Sequence, residues 1–217
     1  IRVRTTAGGI ALSAPGAADL EVEAPDGAAR LAVDVWGDTV DAALAGADAD
    51  AWLSAALGAP VRLVHLDDRA QRFKTGWTEA PQTTSFADGW PILVVTTGSL
   101  AALNAAIAAH GGAAVPMRRF RPNIVVDCDD PWAEDFWGII RIGEVLVDLV
   151  KPCARCIVTT LDQETGEKQG REPLASLNRL RLSADPRVDG VVFGWNARAS
   201  RLGEIAVGDA VEVMEQR

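Results

Sequence analysis

The sequence predicts an α+β protein that is rich in β-strand and has a β-barrel-like main domain. Two observations support this class. Short runs of β-prone residues recur along the chain and end at glycine, proline or aspartate, whereas only three segments have the pattern of a helix. Several strands are separated by tight turns that contain glycine, which is typical of barrels. A doubly wound parallel sheet, in which strands alternate with helices, is not expected.

The composition is that of a globular protein with an acidic surface. The 217 residues suit one sizeable domain or one and a half smaller ones, and 48% of them are hydrophobic. The formal net charge of −9 argues against nucleic acid or an anionic membrane as a partner, because phosphate binding needs clustered Lys and Arg. Three cysteines are too few for a disulfide scaffold, and their number is odd. They indicate a reducing environment, so the predicted location is the cytoplasm. No apolar run approaches the ~20 residues that span a bilayer.

The first part of the chain is predicted to form a β-rich module that ends in a long loop. Two alternating segments, Leu20–Ala24 and Leu31–Trp36, flank a Pro-Asp-Gly turn and predict a hairpin. A short helix is expected at Asp48–Leu57, because acidic residues begin it and a glycine follows it. A strand follows at Val61–Leu66. Residues 67–90 have many charges and little periodicity, so the domain boundary is placed there.

The second part is predicted to alternate strands with two helices. Ser99 is the expected N-cap of an alanine-rich helix, and a proline in the first turn marks the later helix. The predicted helices are Leu100–His110 and Pro173–Leu182, with a short helix or turn at Trp132–Trp137. The predicted strands are Ile92–Thr96, Asn123–Asp127, Gly138–Ile142, Val145–Val150, Cys156–Leu161, Val191–Phe193, Glu204–Ala206 and Ala210–Met214.

A C-x-x-C pair, Cys153 and Cys156, is the strongest local signal for chemistry. A structural zinc site would need four ligands, and no second pair exists. A redox dithiol normally lies at a helix N-terminus, whereas the residues after Cys156 favour a strand. Because side chains alternate along a strand, the two thiols would point to opposite faces and one could bind a metal alone. Both cysteines could instead be small buried hydrophobic residues.

Basic residues cluster near this motif on an otherwise acidic chain. Arg118, Arg119 and Arg121 precede a predicted strand, and Lys151 and Arg155 flank the cysteines. Such a cluster indicates an anionic ligand, although ion pairing with the abundant carboxylates explains it as well. Other residues also have two interpretations. The turn before the Ser99 helix is an anion site or an ordinary cap, and Asp88 is a catalytic carboxylate or a turn residue.

Several motifs in a fixed order resemble the MOSC (molybdenum cofactor sulfurase C-terminal) family. The chain is most similar to two-part members with an N-terminal β-barrel region, such as bacterial N-hydroxylated-compound reductases and the mitochondrial amidoxime reducing component. The similarity is dense from about residue 85 onward and thin before it. The matching stretches include Ser85-Phe-Ala-Asp-Gly, Gly98-Ser-Leu-Ala-Ala-Leu-Asn, Arg119-Phe-Arg-Pro-Asn-Ile-Val-Val, Glu134-Asp135, Lys151-Pro-Cys-Ala-Arg-Cys-Ile-Val-Thr-Thr and Phe193-Gly-Trp-Asn.

The resemblance implies a molybdenum–pterin cofactor and a set of residues around it. Cys156 would be the thiolate ligand of molybdenum, and Cys153 its structural neighbour. Asp88 matches an active-site acid, so the implied catalytic residues are Cys156 and Asp88. The residues implied to bind the cofactor are Thr97, Ser99, Arg121, Asn123 and Arg155. A thiolate is a soft ligand that suits molybdenum, while arginine suits the cofactor phosphate.

The resemblance also implies a domain division and an incomplete first module. Two-part members begin with a Pro-Val-Lys-Ser-like segment, which does not occur in this sequence. Residues 1–84 are therefore expected to be a truncated N-terminal β-barrel module, and residues 85–217 the MOSC domain.

Two functions follow as hypotheses from this resemblance. The first is a molybdenum-cofactor-dependent oxidoreductase that reduces small N-hydroxylated or N-oxide compounds. Its electrons would come from a separate flavin or iron–sulfur protein, because the chain has no nucleotide-binding glycine motif or multi-cysteine cluster. The alternative is a non-catalytic carrier in which Cys156 holds sulfur as a persulfide or delivers the cofactor.

Overall fold

The computed structural model describes all residues from 1 to 217, and they divide into two compact units. The first unit comprises Ile1–Thr75 and Ala80–Asp88, and the second comprises Gly76–Glu79 and Gly89–Arg217. The protein is α+β, rich in strand and barrel-like, with three α-helices, as the sequence predicts. A boundary between residues 84 and 85 stays a prediction. None of the helices combines the length and apolar character needed to cross a membrane.

The first unit consists of three small antiparallel sheets and one helix. Its elements are β1 (Arg2–Thr5), β2 (Gly9–Ser13), β3 (Leu20–Glu23), β4 (Arg30–Val35), β5 (Asp38–Leu44), α1 (Ala47–Leu57), β6 (Val64–His65), β7 (Phe73–Lys74) and β8 (Gln82–Thr83). The strand orders are β1-β2-β3, β4-β5-β6 and β7-β8. The predicted hairpin across the Pro-Asp-Gly turn is wrong, since β3 pairs with β2 and β4 pairs with β5. The turn signal marks a crossing between two sheets.

A buried arginine holds the end of the first unit in place. The side chain of Arg72 is fully buried, and its Nε donates to Asp38 Oδ2 at 2.7 Å. Its Nη1 donates to the carbonyl oxygens of Ser85 and Ala87. Because these bonds fix the backbone on the N-terminal side of Asp88, that residue lies on a well-anchored segment.

The second unit is built on one curled, half-barrel sheet of six strands. Its elements are β9 (Ile92–Thr96), α2 (Thr97–Ala109), β10 (Ile124–Val126), β11 (Trp137–Ile142), β12 (Val145–Ala154), α3 (Leu174–Leu180), β13 (Val192–Arg201) and β14 (Val211–Gln216). Three 3-10 helices lie between them, at Met117–Phe120, Ala133–Phe136 and Ile157–Thr160. The strand order is β10-β9-β13-β12-β11-β14, and only β9 and β10 pair in parallel.

Alternation along the strands divides the buried residues of the second unit between two faces of the sheet. On β9, Val94 belongs to one apolar cluster, whereas its neighbours Leu93 and Val95 belong to the other. Such an alternation is the period of two expected of strands that are covered on both sides. The second cluster includes α2 and α3, so these helices cover one face near the C-x-x-C motif.

The short segment that precedes β8 contributes an aromatic contact to the second unit. The Trp77 ring lies 3.7 Å from the Arg187 guanidinium carbon and 5.3 Å from the Lys151 ammonium. Cation–π contacts of this kind contribute about 0.5–1 kcal/mol each at exposed sites. The residues 76–79 therefore belong to the second unit although both neighbouring stretches of chain belong to the first.

Three predicted elements of the second unit differ from the structure. The strand expected at Cys156–Leu161 is wrong, because a 3-10 helix occupies Ile157–Thr160. No strand forms at residues 204–206, where the chain makes a turn before β14. Helix α2 begins three residues earlier than predicted, with Thr96 rather than Ser99 as its N-cap.

Candidate functional site

The two cysteines of the C-x-x-C motif lie in different environments. Cys153 is the second-last residue of β12, is partly buried and packs against the apolar cluster of α2 and α3. Cys156 lies two residues beyond the strand, is exposed and caps the 3-10 helix at Ile157–Thr160. Both thiols are free. The two thiols differ in environment because β12 ends between them. Only Cys153 belongs to the strand, so alternation along a strand is not the cause.

Arg155 holds the turn between the two cysteines. Its Nη1 lies 2.9 Å from Cys153 Sγ, and its Nη2 donates to the carbonyl oxygen of Phe120 at 2.8 Å. Its guanidinium carbon also lies 5.5 Å from the Phe120 ring centroid, while Nε is buried without a partner. The backbone N–H of Arg155 donates to Val191. These bonds fix the chain immediately before Cys156.

The predicted basic cluster lies against the 3-10 helix that follows Cys156. The helix at Met117–Phe120 contacts the helix at Ile157–Thr160, and the buried Arg119 approaches the Thr159 carbonyl oxygen at 3.4 Å. Arg119 Nε is buried without a partner. The N–H groups of Glu164 and Thr165, and then the charges of Arg118 and Arg119, keep the pKa of Asp162 below its ordinary value. Positive charge is therefore concentrated around the helix that begins at Cys156.

Arg121 and Asn123 follow this cluster at the start of β10. Arg121 is exposed and has φ 53, the left-handed conformation that ends the 3-10 helix. Asn123 Oδ1 accepts a hydrogen bond from the Leu93 N–H at 2.9 Å, and the Asn123 N–H donates to the Leu93 carbonyl oxygen. Asn123 therefore fixes the register of β10 against β9, which leaves its amide nitrogen available to a ligand.

The N-terminus of α2 is satisfied by the protein itself. The Gly98 N–H donates to the Cys128 carbonyl oxygen at 2.8 Å, and the Ser99 N–H donates to Thr96 Oγ1 at 3.2 Å. Thr97 Oγ1 bonds to Asp127 Oδ1 and to the backbone of Cys128. The sequence allowed this turn to be an anion site or an ordinary helix cap. Because its donors bond within the protein, it is an ordinary cap.

Glu134 has a structural role in this region that its sequence motif did not predict. Its carboxylate is buried, and Oε2 lies 2.8 Å from Thr96 Oγ1 and 2.7 Å from Ser99 Oγ, while Oε1 has no partner. Ser99 Oγ also accepts the Trp132 N–H at 2.9 Å. The Ser99 side chain is fully buried, so its hydroxyl acts in the interior.

The neighbouring Asp135 links two further elements to the same loop. Its Oδ1 accepts the Trp195 indole N–H at 2.8 Å, and its carboxylate pairs with Arg181 at 2.7 Å. The Arg181 guanidinium also lies 4.3 Å from the Trp132 ring centroid. The adjacent pair of acidic residues in the sequence could have indicated these roles, but only the fold shows that both carboxylates point inward.

Asp88 lies in the first unit, at its C-terminal end. Its carboxylate is exposed and accepts a hydrogen bond from the Trp36 indole N–H at 3.2 Å. Trp36 is 73% exposed and has φ 55 at the tip of the β4–β5 hairpin, where Gly37 has φ 83. Two positive φ values define a type I′ turn, in which a bulky residue at the first position is unfavourable.

The donor groups around Cys156 fit the cofactor that the resemblance implies. Cys156 presents an exposed thiol, which is the soft ligand that molybdenum prefers. The arginines of the basic cluster suit an anionic phosphate, and the buried nitrogens of Arg119 and Arg155 lack protein acceptors. No group of three or more His, Cys, Asp or Glu side chains converges to hold a metal ion by itself. The residues around Cys156 therefore offer molybdenum one thiolate ligand with cations nearby. They do not offer a metal site with several protein ligands.

Comparison with known proteins gives a consistent set of relatives. The family model for the MOSC domain matches residues 81–212. The mitochondrial amidoxime-reducing component 1 of Mus musculus is 33% identical over 181 residues, which are 79% of this chain and 52% of that protein. The Homo sapiens component 1 is 32% identical over 76% of this chain, and the Macaca fascicularis component 2 is 37% identical over 58% of it. The chain spans about half the length of the first two relatives.

These comparisons correct one prediction and confirm another. The predicted cytoplasmic location is wrong, because the relatives are named as mitochondrial proteins. Three cysteines indicate a reducing environment without distinguishing one compartment from another, which is why the composition misled. The resemblance drawn from the motifs is confirmed, because the family model covers more than half of the residues and a relative above 30% identity covers most of the chain. The chain belongs to the MOSC domain family.

Proposed function

We propose that the chain is part of a molybdenum-cofactor-dependent oxidoreductase that reduces small N-hydroxylated or N-oxide compounds. The observation that carries this proposal is the exposed thiol of Cys156, which follows a strand end and precedes a 3-10 helix that the basic segment Met117–Phe120 contacts. The names of the relatives support the reaction class, since an amidoxime is an N-hydroxylated group. We assign Cys156 as the ligand of molybdenum.

Other residues of the second unit would hold and orient the cofactor. Arg121 and the free amide nitrogen of Asn123 are assigned to its anionic pterin phosphate, and Thr97 to the turn beside it, where its hydroxyl bonds to Asp127 and Cys128. Arg155 would fix the turn that carries Cys156, through its bonds to Cys153 and Phe120. Ser99 is assigned a positioning role, because its hydroxyl is buried against Glu134. When bound, the cofactor would supply the redox chemistry that removes oxygen from the substrate.

Asp88 would serve as the acid of this reaction. Its exposed carboxylate accepts the Trp36 indole N–H through Oδ1, which leaves Oδ2 free to exchange a proton with water or substrate. The backbone before it is held by the buried Arg72, so the carboxylate is presented by a rigid segment. Electrons would come from a separate flavin or iron–sulfur protein.

The decisive experiment compares the two cysteines in the full-length protein. Cys156→Ala should abolish molybdenum binding, measured by metal analysis, and reduction of an aryl amidoxime, while the fold persists. Cys153→Ala is the matched control, and it should retain the metal at a cost of about 1–2 kcal/mol in stability. Stoichiometric molybdenum in Cys156→Ala would refute the assignment.

The alternative function has its own outcome in the same experiment. A non-catalytic carrier would give wild-type protein that is free of molybdenum and has a persulfide on Cys156, detected by mass spectrometry. An exposed cysteine suits a persulfide as well as a metal. A disulfide between Cys153 and Cys156 in the active protein would exclude both functions.

A further inference from the structure

An open groove lies between the 3-10 helix that follows Cys156 and helix α3. Its volume is about 590 Å³, within the ~300–1,000 Å³ range of small-molecule sites. The Ile157–Thr160 helix forms one wall and α3 the other, with the 168–172 segment between them. None of the residues assigned above to the cofactor lines it.

Both walls of the groove carry apolar side chains. Ile157 lies on one wall and Leu174 and Ala175 on the other, and Ile157 is 53% exposed. A half-exposed isoleucine that lines a groove gains from a ligand that removes it from water. A ligand of this groove therefore needs an apolar part that covers these side chains, called its body below.

The rim of the groove carries uncompensated positive charge. Lys168 and Arg171 are exposed, line the groove and form no ion pair. The one carboxylate of the lining, Glu172, is already engaged, since its Oε2 accepts the Ser176 N–H at 3.0 Å and its Oε1 lies 3.5 Å from Arg179. On a protein with net charge −9, this local excess of cations favours an anion.

We propose that this groove binds a small amphiphilic anion, with an oxyanion head group between Lys168 and Arg171 and an apolar body over Ile157. Arginine and lysine together bind a carboxylate or a phosphate ester through charge-assisted hydrogen bonds. The apolar walls exclude small hydrated anions as preferred ligands, since these bury no apolar surface. The site is separate from the proposed cofactor residues and does not depend on molybdenum.

Binding measured on the full chain tests the proposal without turnover. Octanoate and octyl phosphate are the probes, octan-1-ol has the same body without charge, and acetate has the head without the body. Isothermal titration calorimetry should show one site for an octyl anion, with at least tenfold weaker binding of octanol and acetate. If octanoate binds more tightly, the preferred head group is a carboxylate; if octyl phosphate binds more tightly, it is a phosphate ester. Equal binding of octanol would overturn the proposal.

Two variants separate the contribution of the charged rim from that of the apolar walls. Lys168→Gln with Arg171→Gln should weaken binding of the octyl anion about tenfold or more, as expected when a charge-assisted bond is lost. The matched control, Arg62→Gln with Arg201→Gln, removes the same charge from exposed positions outside the groove and should change binding less than twofold. Ala175→Leu keeps the cations but fills the space beside the α3 wall, and it should abolish binding. An unchanged affinity in both groove variants would place the ligand elsewhere.

Discussion

Replacing Glu134 by alanine should destabilise the second unit by about 3 kcal/mol. The carboxylate accepts hydroxyl hydrogen bonds from Thr96 and Ser99 at 2.8 and 2.7 Å. Hydrogen bonds to a charged group contribute about 1.5–3 kcal/mol each, and removal of a buried charge recovers part of this sum. Alanine would also leave both hydroxyl groups facing a cavity, because Glu134 is only 1% exposed.

Glu134→Gln is the informative partner of this variant. An amide retains one oxygen that can accept from Thr96 and Ser99, so the cost should be about 1 kcal/mol. Glu164→Ala, at an exposed position, is the control and should lie within about 0.5 kcal/mol of wild type. Urea unfolding followed by tryptophan fluorescence gives the free energies, because Trp132 and Trp137 flank the substituted residue. The reasoning fails if the alanine variant unfolds at the wild-type midpoint, or if glutamine costs as much as alanine.

Three further substitutions test other parts of the fold. Trp36→Asn should stabilise the first unit by about 0.5–1 kcal/mol in urea unfolding, because asparagine tolerates positive φ in a type I′ turn; a loss of stability would show that the indole hydrogen bond dominates. Gly98→Ala should cost about 1–3 kcal/mol, since its Cβ would lie 2.6 Å from carbonyl oxygens of residues 128–129; a wild-type midpoint would mean that this segment moves freely. Hydrogen bonds from Arg30 lower the pKa of Asp67, so its contribution to stability is present above the ordinary value of 3.8 and is lost as the pH falls. Asp67→Asn should flatten that acid dependence of the urea midpoint, and an unchanged slope would contradict it.

Local signals predicted those elements whose ends are marked in the sequence itself. The tight turn between β11 and β12 follows from Gly143, which has φ 55, and α1 ends at Gly58 in the left-handed conformation. Sheet partners were harder to predict, because pairing depends on contacts distant in sequence. The turn after β3 therefore looked like a hairpin although its two strands belong to different sheets.

The candidate site shows the same limit at individual residues. The exposed Cys156 and the basic cluster could be anticipated from residue types and the order of motifs. The β-branched residues after Cys156 favoured a strand, yet Thr159 and Thr160 donate their hydroxyls to carbonyl oxygens three residues earlier and stabilise a 3-10 turn. The predicted cap of α2 was displaced by three residues, because Thr96 and Ser99 both suit that role and it is Thr96 Oγ1 that accepts the Ser99 N–H.

The chain passes between its two units three times, after residues 75, 79 and 88. A single cut in this stretch therefore divides at least one of the two units. A fragment that begins at residue 89 loses Trp77, and with it the aromatic partner of Arg187. A cut after residue 75 separates Arg72 from the carbonyl oxygens of Ser85 and Ala87 that satisfy it. A protease nick at residue 79 should thus leave the two pieces associated under native conditions, because each unit then contains residues from both pieces.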